Sequence, residues 1–423
     1  MKLALVLAAV LMAAPAAAGP LGMGLPSLPG AVGSVTGRTT GLLDQNLSGV
    51  GNVVRDTVGR PRSPRAYEKD ANGLRIVRGE VLALSPSDKS LAIARGLSFT
   101  LIRQTSLDAL GLNVAVLGVP DGMSAADALV ALRKADPDGA YDVDHIYDPS
   151  GGIAGKSANI GAQTAVPRAS PRVGMIDGGI DQKHEAFEHA KLVSRGFVAN
   201  AQPLPTQHGT AVASLLVGSD PEVNGVLPDA QLYAADVYCG QATGGSADAI
   251  AEALGWLAAI DVPVTNVSLS GPDNAILAAA VRAFVRRGHV LVAAVGNDGP
   301  AAGIEYPAGY PGVVGVTAVD ANHAVELEAN RGADVDFAAD GVDVPVAALN
   351  GRHTTMTGTS FAAPVVTARF ALLVSHADLH AAAQAVAVLQ HAAVHLGTPG
   401  RNDVYGYGLL ERPAPPANAT AQR

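Results

Sequence analysis

Beyond residue 171 the chain alternates short apolar runs with longer stretches of small and apolar residues. The runs near 172–176, 231–237, 263–269, 290–295 and 313–319 have strand length and little polar interruption, the pattern of strands buried on both faces. Helical spacing follows at about 208–218, 246–260, 274–287 and 361–374, and a late Ala-rich helix is predicted over 378–394. Such alternation predicts an α/β fold: a parallel sheet with helices on both faces.

The preceding stretch, 75–150, has a different rhythm. Alternating Val and Leu predict a strand over 76–84, and a short helix follows over 88–97, with Ser85, Ser87 or Asp88 as available caps. Strands are predicted at 99–103 and 113–117. An amphipathic helix over 124–135 starts at Ser124, with Asp127 three residues on, near capping-box spacing. A last strand falls at 140–147. The sum is βαββαβ, a small α+β ferredoxin-like unit. Residues 19–74, rich in Gly, Pro, Ser and Arg, read as a flexible leader, 151–171 as a linker, 172–411 as the larger domain and 412–423 as a disordered tail. The basic run 60–65 is expected to be solvated linker.

Composition narrows the setting. The chain has 423 residues, 48% of them hydrophobic, enough for one large domain and a smaller one. A net charge of −9 and the lack of a basic patch argue against nucleic acid as a partner. Cys239 is the single cysteine, so no intramolecular disulfide can form. The start reads Met-Lys, an apolar run over 3–12, then an Ala-rich stretch, as in a secretory signal (1–18) cut after Ala18. The run is too short to span a bilayer. Export to periplasm or medium is expected, with no membrane partner.

Four segments carry chemistry. Gly358 to Pro364 presents one hydroxyl, Ser360, where a helix of small residues begins, so helix-start N–H groups face developing negative charge. Val173 to Ile180 reads as a buried strand delivering Asp177 at its C-terminal end. His208 opens a helix of small and apolar residues. A serine nucleophile needs a base, and the base needs a carboxylate to fix its tautomer. Asp177, His208 and Ser360 fill those roles. The strand over 290–295 ends in Gly296-Asn297, whose carboxamide can donate to the oxyanion of a tetrahedral intermediate, with the Ser360 N–H as second donor.

From Arg172 to Leu410 the chain resembles the subtilisin-like serine proteases (subtilases), whose triad order is also Asp, His, Ser. The resemblance implies Asp177 as orienting carboxylate, His208 as base and acid, Ser360 as nucleophile and Asn297 as oxyanion donor. It implies that Ser268, Leu269, Ser270 and Gly271 pair with an extended polypeptide substrate. It places Glu305, before Tyr306-Pro307, at the floor of the pocket for the residue preceding the cut, where a carboxylate favours Lys or Arg. It makes 75–150 a propeptide that inhibits its own protease, and whose removal after a junction in 151–171 is cut releases activity. A monomer is expected. Departures are Gly178 after the Asp, Ala211 and Ser214 in the His helix, and Ser270 where Gly is common; they touch geometry and preference. The alternative from another class is a catalytically silent subtilase-fold protein that binds peptides.

No organic cofactor and no assigned metal follow from the sequence. His376 with His380 and His391 with His395 have helical spacing but no third ligand. Asp334, Asp336, Asp340 and Asp343 offer oxygens to a structural calcium, without a site that can be specified.

Overall fold

The computed structural model describes residues 66–154, 170–198 and 201–412, all within one compact unit, Arg62–Arg423. The signal sequence, most of the leader and the tail beyond Arg412 lie outside the described residues.

The first elements are β1 (Tyr67–Lys69), β2 (Arg75–Leu84), α1 (Asp88–Gly96), β3 (Thr100–Leu107), β4 (Leu112–Gly118), α2 (Ala125–Ala135) and β5 (Ala140–His145). They form an antiparallel sheet in which β2 pairs β4, β4 pairs β3, and β1 and β5 both pair β2. Ser87 and Ser124 cap the two helices by accepting the N–H of Ser90 and Asp127. The leader was expected to run unstructured to residue 74. Instead Tyr67–Lys69 pairs with Arg75–Val77 across a turn at Asp70–Gly73, where Asp70 accepts two backbone N–H groups.

Strand alternation gives this sheet two apolar faces. Val81, Ala83, Ala115 and Leu117 point to its own helices, with Leu129 and Leu132. Leu82, Val114 and Val116 point the other way and join a cluster containing Ile250, Leu254, Ile276 and Leu277 of the larger domain. The chain continues through β6 (Asp148–Pro149) and β7 (Gly152–Ala154), the latter inside the stretch expected to be linker.

The larger part has β8 (Arg172–Asp177), β9 (Lys191–Gly196), α3 (Gln207–Val217), β10 (Gln231–Asp236), α4 (Ala247–Ala259), β11 (Val264–Val267), β12 (Leu269–Ser270), α5 (Ala275–Val285) and β13 (Val290–Ala294). β14 (Val314–Val319), β15 (Phe337–Asp340), β16 (Val344–Ala348), β17 (Arg352–Thr357), α6 (Thr359–Ala371) and α7 (Leu379–Ala392) complete it. Seven of these strands form a parallel sheet in the order β15-β14-β13-β11-β8-β10-β9. Its faces are separately covered. Val173, Met175 and Val292 pack under α3 and α6, while Ile176, Leu291 and Ala293 pack under α4 and α5. The α/β architecture with helices on both faces is thus observed. The strands at 191–196, 337–340, 344–348 and 352–357 were not anticipated.

The smaller sheet docks on the N-termini of α4 and α5. Asp142 Oδ2 accepts the Ala275 N–H at 2.8 Å, and Asp144 Oδ1 accepts the Asp248 N–H at 3.1 Å, favourable places for carboxylates. Asn274 caps α5 and sends its Nδ2 to the Val143 carbonyl at 2.9 Å. Arg103 binds Asp248 directly and lies 3.4 Å from Glu252. Burial holds Asp144 well above the usual carboxylate range, and the Glu80 charge adds to this; burial likewise raises Glu80. A carboxyl whose folded pKa is raised contributes its stability while protonated and loses it as pH rises through that pKa. Asp144→Asn should therefore gain stability over wild type as pH is raised from about 4. Urea midpoints at several pH values would measure it, and a pH-independent difference would contradict it.

Candidate active site

Asp177 ends β8, fully buried at the C-terminal edge of the sheet. His208 sits in the first turn of α3, which Thr206 starts by accepting the Gly209 N–H at 3.0 Å. His208 Nδ1 lies 2.9 and 3.0 Å from the two Asp177 oxygens. An ionised carboxylate only accepts, so Nδ1 donates. Nε2, the other ring nitrogen, is buried and makes no hydrogen bond among the described residues. The helix reaches the strand end because position 209 is glycine: a Cβ there would fall 2.1 Å from the Gly178 carbonyl oxygen.

Ser360 lies in the first turn of α6, after Gly358. Its Oγ donates to the Ser268 carbonyl at 2.9 Å, and its N–H to the Ser150 carbonyl at 3.0 Å. An exposed hydroxyl was expected, yet Ser360 is fully buried. The cover is the chain itself: residues 147–154 cross the site. Gly358 has φ 147°, and a Cβ on it would fall 2.5 Å from Gly151 Cα and 2.7 Å from the Ser150 oxygen. The same point lies 3.2 Å from Asn297 Nδ2, a buried donor with no hydrogen-bond partner among the described residues. The Asn297 Oδ1 meanwhile accepts the Thr359 N–H at 3.1 Å, which fixes the amide. The Ser360 N–H and the Asn297 amide thus converge on the region of one peptide carbonyl.

On one side of that carbonyl, β6 pairs antiparallel with β12: Pro149 opposite Leu269 and Asp148 opposite Ser270. The Ser150 N–H donates to the Ser268 carbonyl at 3.2 Å, and the Tyr147 N–H to the Gly245 carbonyl at 2.8 Å. Tyr147 is fully buried and lies against Gly271, where a Cβ would come within 2.6 Å of its ring. Its hydroxyl donates to the Pro272 carbonyl at 2.7 Å, while Tyr238 Oη donates to the Tyr147 carbonyl at 2.8 Å. Beyond the carbonyl, β7 pairs with Thr355–Thr357 of β17. Ser268, Leu269, Ser270 and Gly271 therefore all meet an extended segment. Gly245, Tyr238 and β17 were not singled out from sequence. The paired glycines at 244–245 were the available signal for a close backbone approach.

Glu305 is brought against Ser270 and Gly296, where a Cβ on Gly296 would meet Oε2 at 2.3 Å. Its pKa is pushed up to about 7, first by burial and then by the nearby Asp298 and Asp148, against a lowering bond from Ser270.

Among the described residues one trio, His184, Asp220 and His353, has ligand-type atoms within 4.8 Å of one another. Both His184 nitrogens are occupied, Nδ1 by the Ala186 N–H at 3.1 Å and Nε2 by the Arg352 carbonyl at 2.8 Å. His353 Nε2 lies 2.9 Å from Asp220 Oδ2. His184 is thus satisfied by the backbone, while His353 and Asp220 pair with each other. Neither the spaced histidines nor the Asp334–Asp343 set gathers three ligands, and Asp336 instead faces Arg401 at 3.3 Å.

The close fit at Gly209 is testable. Gly209→Ala should lower stability by about 1–3 kcal/mol, because the added methyl meets backbone that cannot yield cheaply. Gly96→Ala, with nothing within 4 Å, is the matched control. Equal urea midpoints for the two variants would contradict the packing argument.

Comparison with known proteins agrees with this arrangement. Residues 169–408 match the profile of the Subtilase family. The chain is 31% identical over 243 residues to minor extracellular protease Epr of Bacillus subtilis (strain 168), covering 57% of this chain and 37% of that one. It is 33% identical over 251 residues to subtilisin DY of Bacillus licheniformis, covering 57% and 89%. Thus it spans well under half of the first relative and most of the second. Fervidolysin from Fervidobacterium pennivorans shares the fold at TM-score 0.68 and 19% identity, over 84% of this chain and 64% of that one. The motif order, the parallel sheet and the matched profile together place this chain in the subtilase family.

Proposed function

We propose that the protein is an exported serine endopeptidase made as a self-processing zymogen, acting on polypeptides as a monomer without an organic cofactor. One observation carries the reading: the Ser150 carbonyl accepts the Ser360 N–H at 3.0 Å beside the Asp177–His208 pair. That carbonyl belongs to the Ser150–Gly151 bond, which is the first bond cut.

The chemistry follows from the atoms present. Ser360 Oγ leaves the Ser268 carbonyl, and His208 Nε2 takes its proton. Asp177 holds Nδ1–H and stabilises the imidazolium. Oγ attacks the Ser150 carbonyl carbon, and the oxyanion is held by the Ser360 N–H and Asn297 Nδ2. The C–N bond breaks, His208 protonates the Gly151 amine, and an acyl-enzyme on Ser360 remains. Water, deprotonated by His208, releases the Ser150 carboxylate. Residues 75–150 then stay bound as an inhibitor through the α4–α5 contacts and the strand β6 until removed. Export rests on the N-terminal pattern, and the Bacillus subtilis relative is itself named an extracellular protease.

Intact mass of the exported protein tests this. Wild type should begin at Gly151, and Ser360→Ala should keep the bond. A precursor left whole in both would favour the silent peptide binder.

Glu305 carries the second expectation. In the precursor the short Ser150 side chain brings it no cation. In trans, a Lys or Arg before the cut should be favoured increasingly as pH rises above the ordinary carboxylate range and Glu305, which burial raises, ionises. The ratio of cleavage after Arg to cleavage after Leu should rise with that ionisation in wild type and stay flat in Glu305→Gln. A flat wild-type ratio would remove Glu305 from the pocket.

A further inference from the structure

A buried polar line runs behind the nucleophile, and the reaction steps above do not use it. Asn266 lies in β11, between β8 and β13, in the apolar centre of the sheet. It is fully buried, as are Ser268 and Thr367. Burying such groups is costly unless each is bonded. Here Thr367 Oγ1 lies 3.0 Å from Asn266 Oδ1, Asn266 Nδ2 donates to Ser268 Oγ at 2.9 Å, and Ser268 Oγ donates to the Ser360 carbonyl at 2.9 Å.

The direction of this line is fixed at its end. A carbonyl can only accept, so the Ser268 proton goes to Ser360. The Ser268 oxygen then accepts from the Asn266 NH2, which leaves Oδ1 facing Thr367. The Thr367 hydroxyl is shared with the Ala363 carbonyl at 2.9 Å.

The Ser360 carbonyl needs an outside donor for a reason visible in the helix. Its helical partner would be the N–H four residues on, and that residue is Pro364. Proline has no N–H, so the carbonyl of the nucleophile is orphaned inside α6. Ser268 supplies the missing donor. Its own main-chain carbonyl meanwhile accepts both the Ser360 hydroxyl and the Ser150 N–H. One residue therefore grips the nucleophile at two points and the peptide at a third.

We propose that Ser268, oriented by Asn266, is a positioning residue for Ser360: its hydroxyl replaces the hydrogen bond that Pro364 removes and holds the first turn of α6 in place. This rests on the reading of Ser360 as nucleophile. Ser268→Ala removes only the hydroxyl. Asn266→Asp keeps the shape but converts the donor to an acceptor, which draws the Ser268 proton away from Ser360.

The test uses the mature enzyme, a peptide substrate and a fluorophosphonate that labels an activated serine. Both variants should lose about tenfold in kcat and in labelling rate, the worth of one hydrogen bond. KM should change less than twofold, and the acid limb of the pH profile should stay in place because Asp177–His208 is untouched. Ser268→Thr, which restores the hydroxyl, should recover most of the rate. Wild-type kcat and labelling in folded Ser268→Ala would overturn the proposal, as would a loss confined to KM or one that Ser268→Thr fails to recover. Labelling that persists in Ser360→Ala would overturn the nucleophile assignment instead, so the two failures are separable.

Discussion

The arrangement depends on three neighbouring parallel strands ending at one edge of the sheet. β8, β11 and β13 lie side by side in the order β13-β11-β8. Their C-terminal ends run into Asp177, Ser268 and Asn297 respectively. Parallel pairing at about 4.8 Å per strand sets the spacing of these groups before any side chain acts. α3 and α6, both packed against one face, then bring His208 and Ser360 down onto that edge. Such an edge can be built only if the sheet is apolar on both faces, and this is why the flanking runs are nearly free of charge.

The smaller sheet serves a second geometric purpose. Its outer face closes on α4 and α5, and its last strand places Asp142 and Asp144 at their N-termini. From there only a few residues lead to Ser150, so the docking of the sheet fixes which peptide bond reaches Ser360. Antiparallel pairing with β12 on one side and β17 on the other holds that bond extended across the site. The grip is mostly main chain. Side chains act at Tyr147, whose ring needs the bare Gly271, and at Gly358, whose missing Cβ leaves room for the crossing chain.

Much of this was legible in the sequence because burial on both faces leaves an unmistakable signature. Val290–Ala294 and Val264–Val267 contain few alternatives to a central strand; Asp177 and Asn297 stand at the ends of such runs, while His208 and Ser360 open helices of small and apolar residues. Two of the missed strands have the opposite character. Lys191–Gly196 alternates exposed and half-buried positions at the sheet edge, and Arg352–Thr357 is largely Thr with Arg and His. Both become strands because a partner is present, a tertiary cause that periodicity cannot register. Tyr67–Lys69 was lost in the same way, inside a stretch whose composition suggested a leader. The burial of Ser360 was not legible either, since nothing local to Gly358–Pro364 reveals that residues far upstream will lie across it.

The crossing segment also differs from what the same cleft would receive from another polypeptide. Asp148 sits near Glu305, which also feels Asp298; this is an unfavourable place for a further carboxylate. It is tolerated because Arg75 of β2 binds both Asp148 oxygens. That guanidinium belongs to the smaller sheet and, on the proposed reading, departs with it. A free substrate with Asp at the same position would meet the acidic neighbours without the compensating cation. On the proposed reading, the self-processing sequence is therefore a poor guide to preference in trans: the precursor brings its own counter-charge, and an ordinary substrate must supply neutral or basic residues instead.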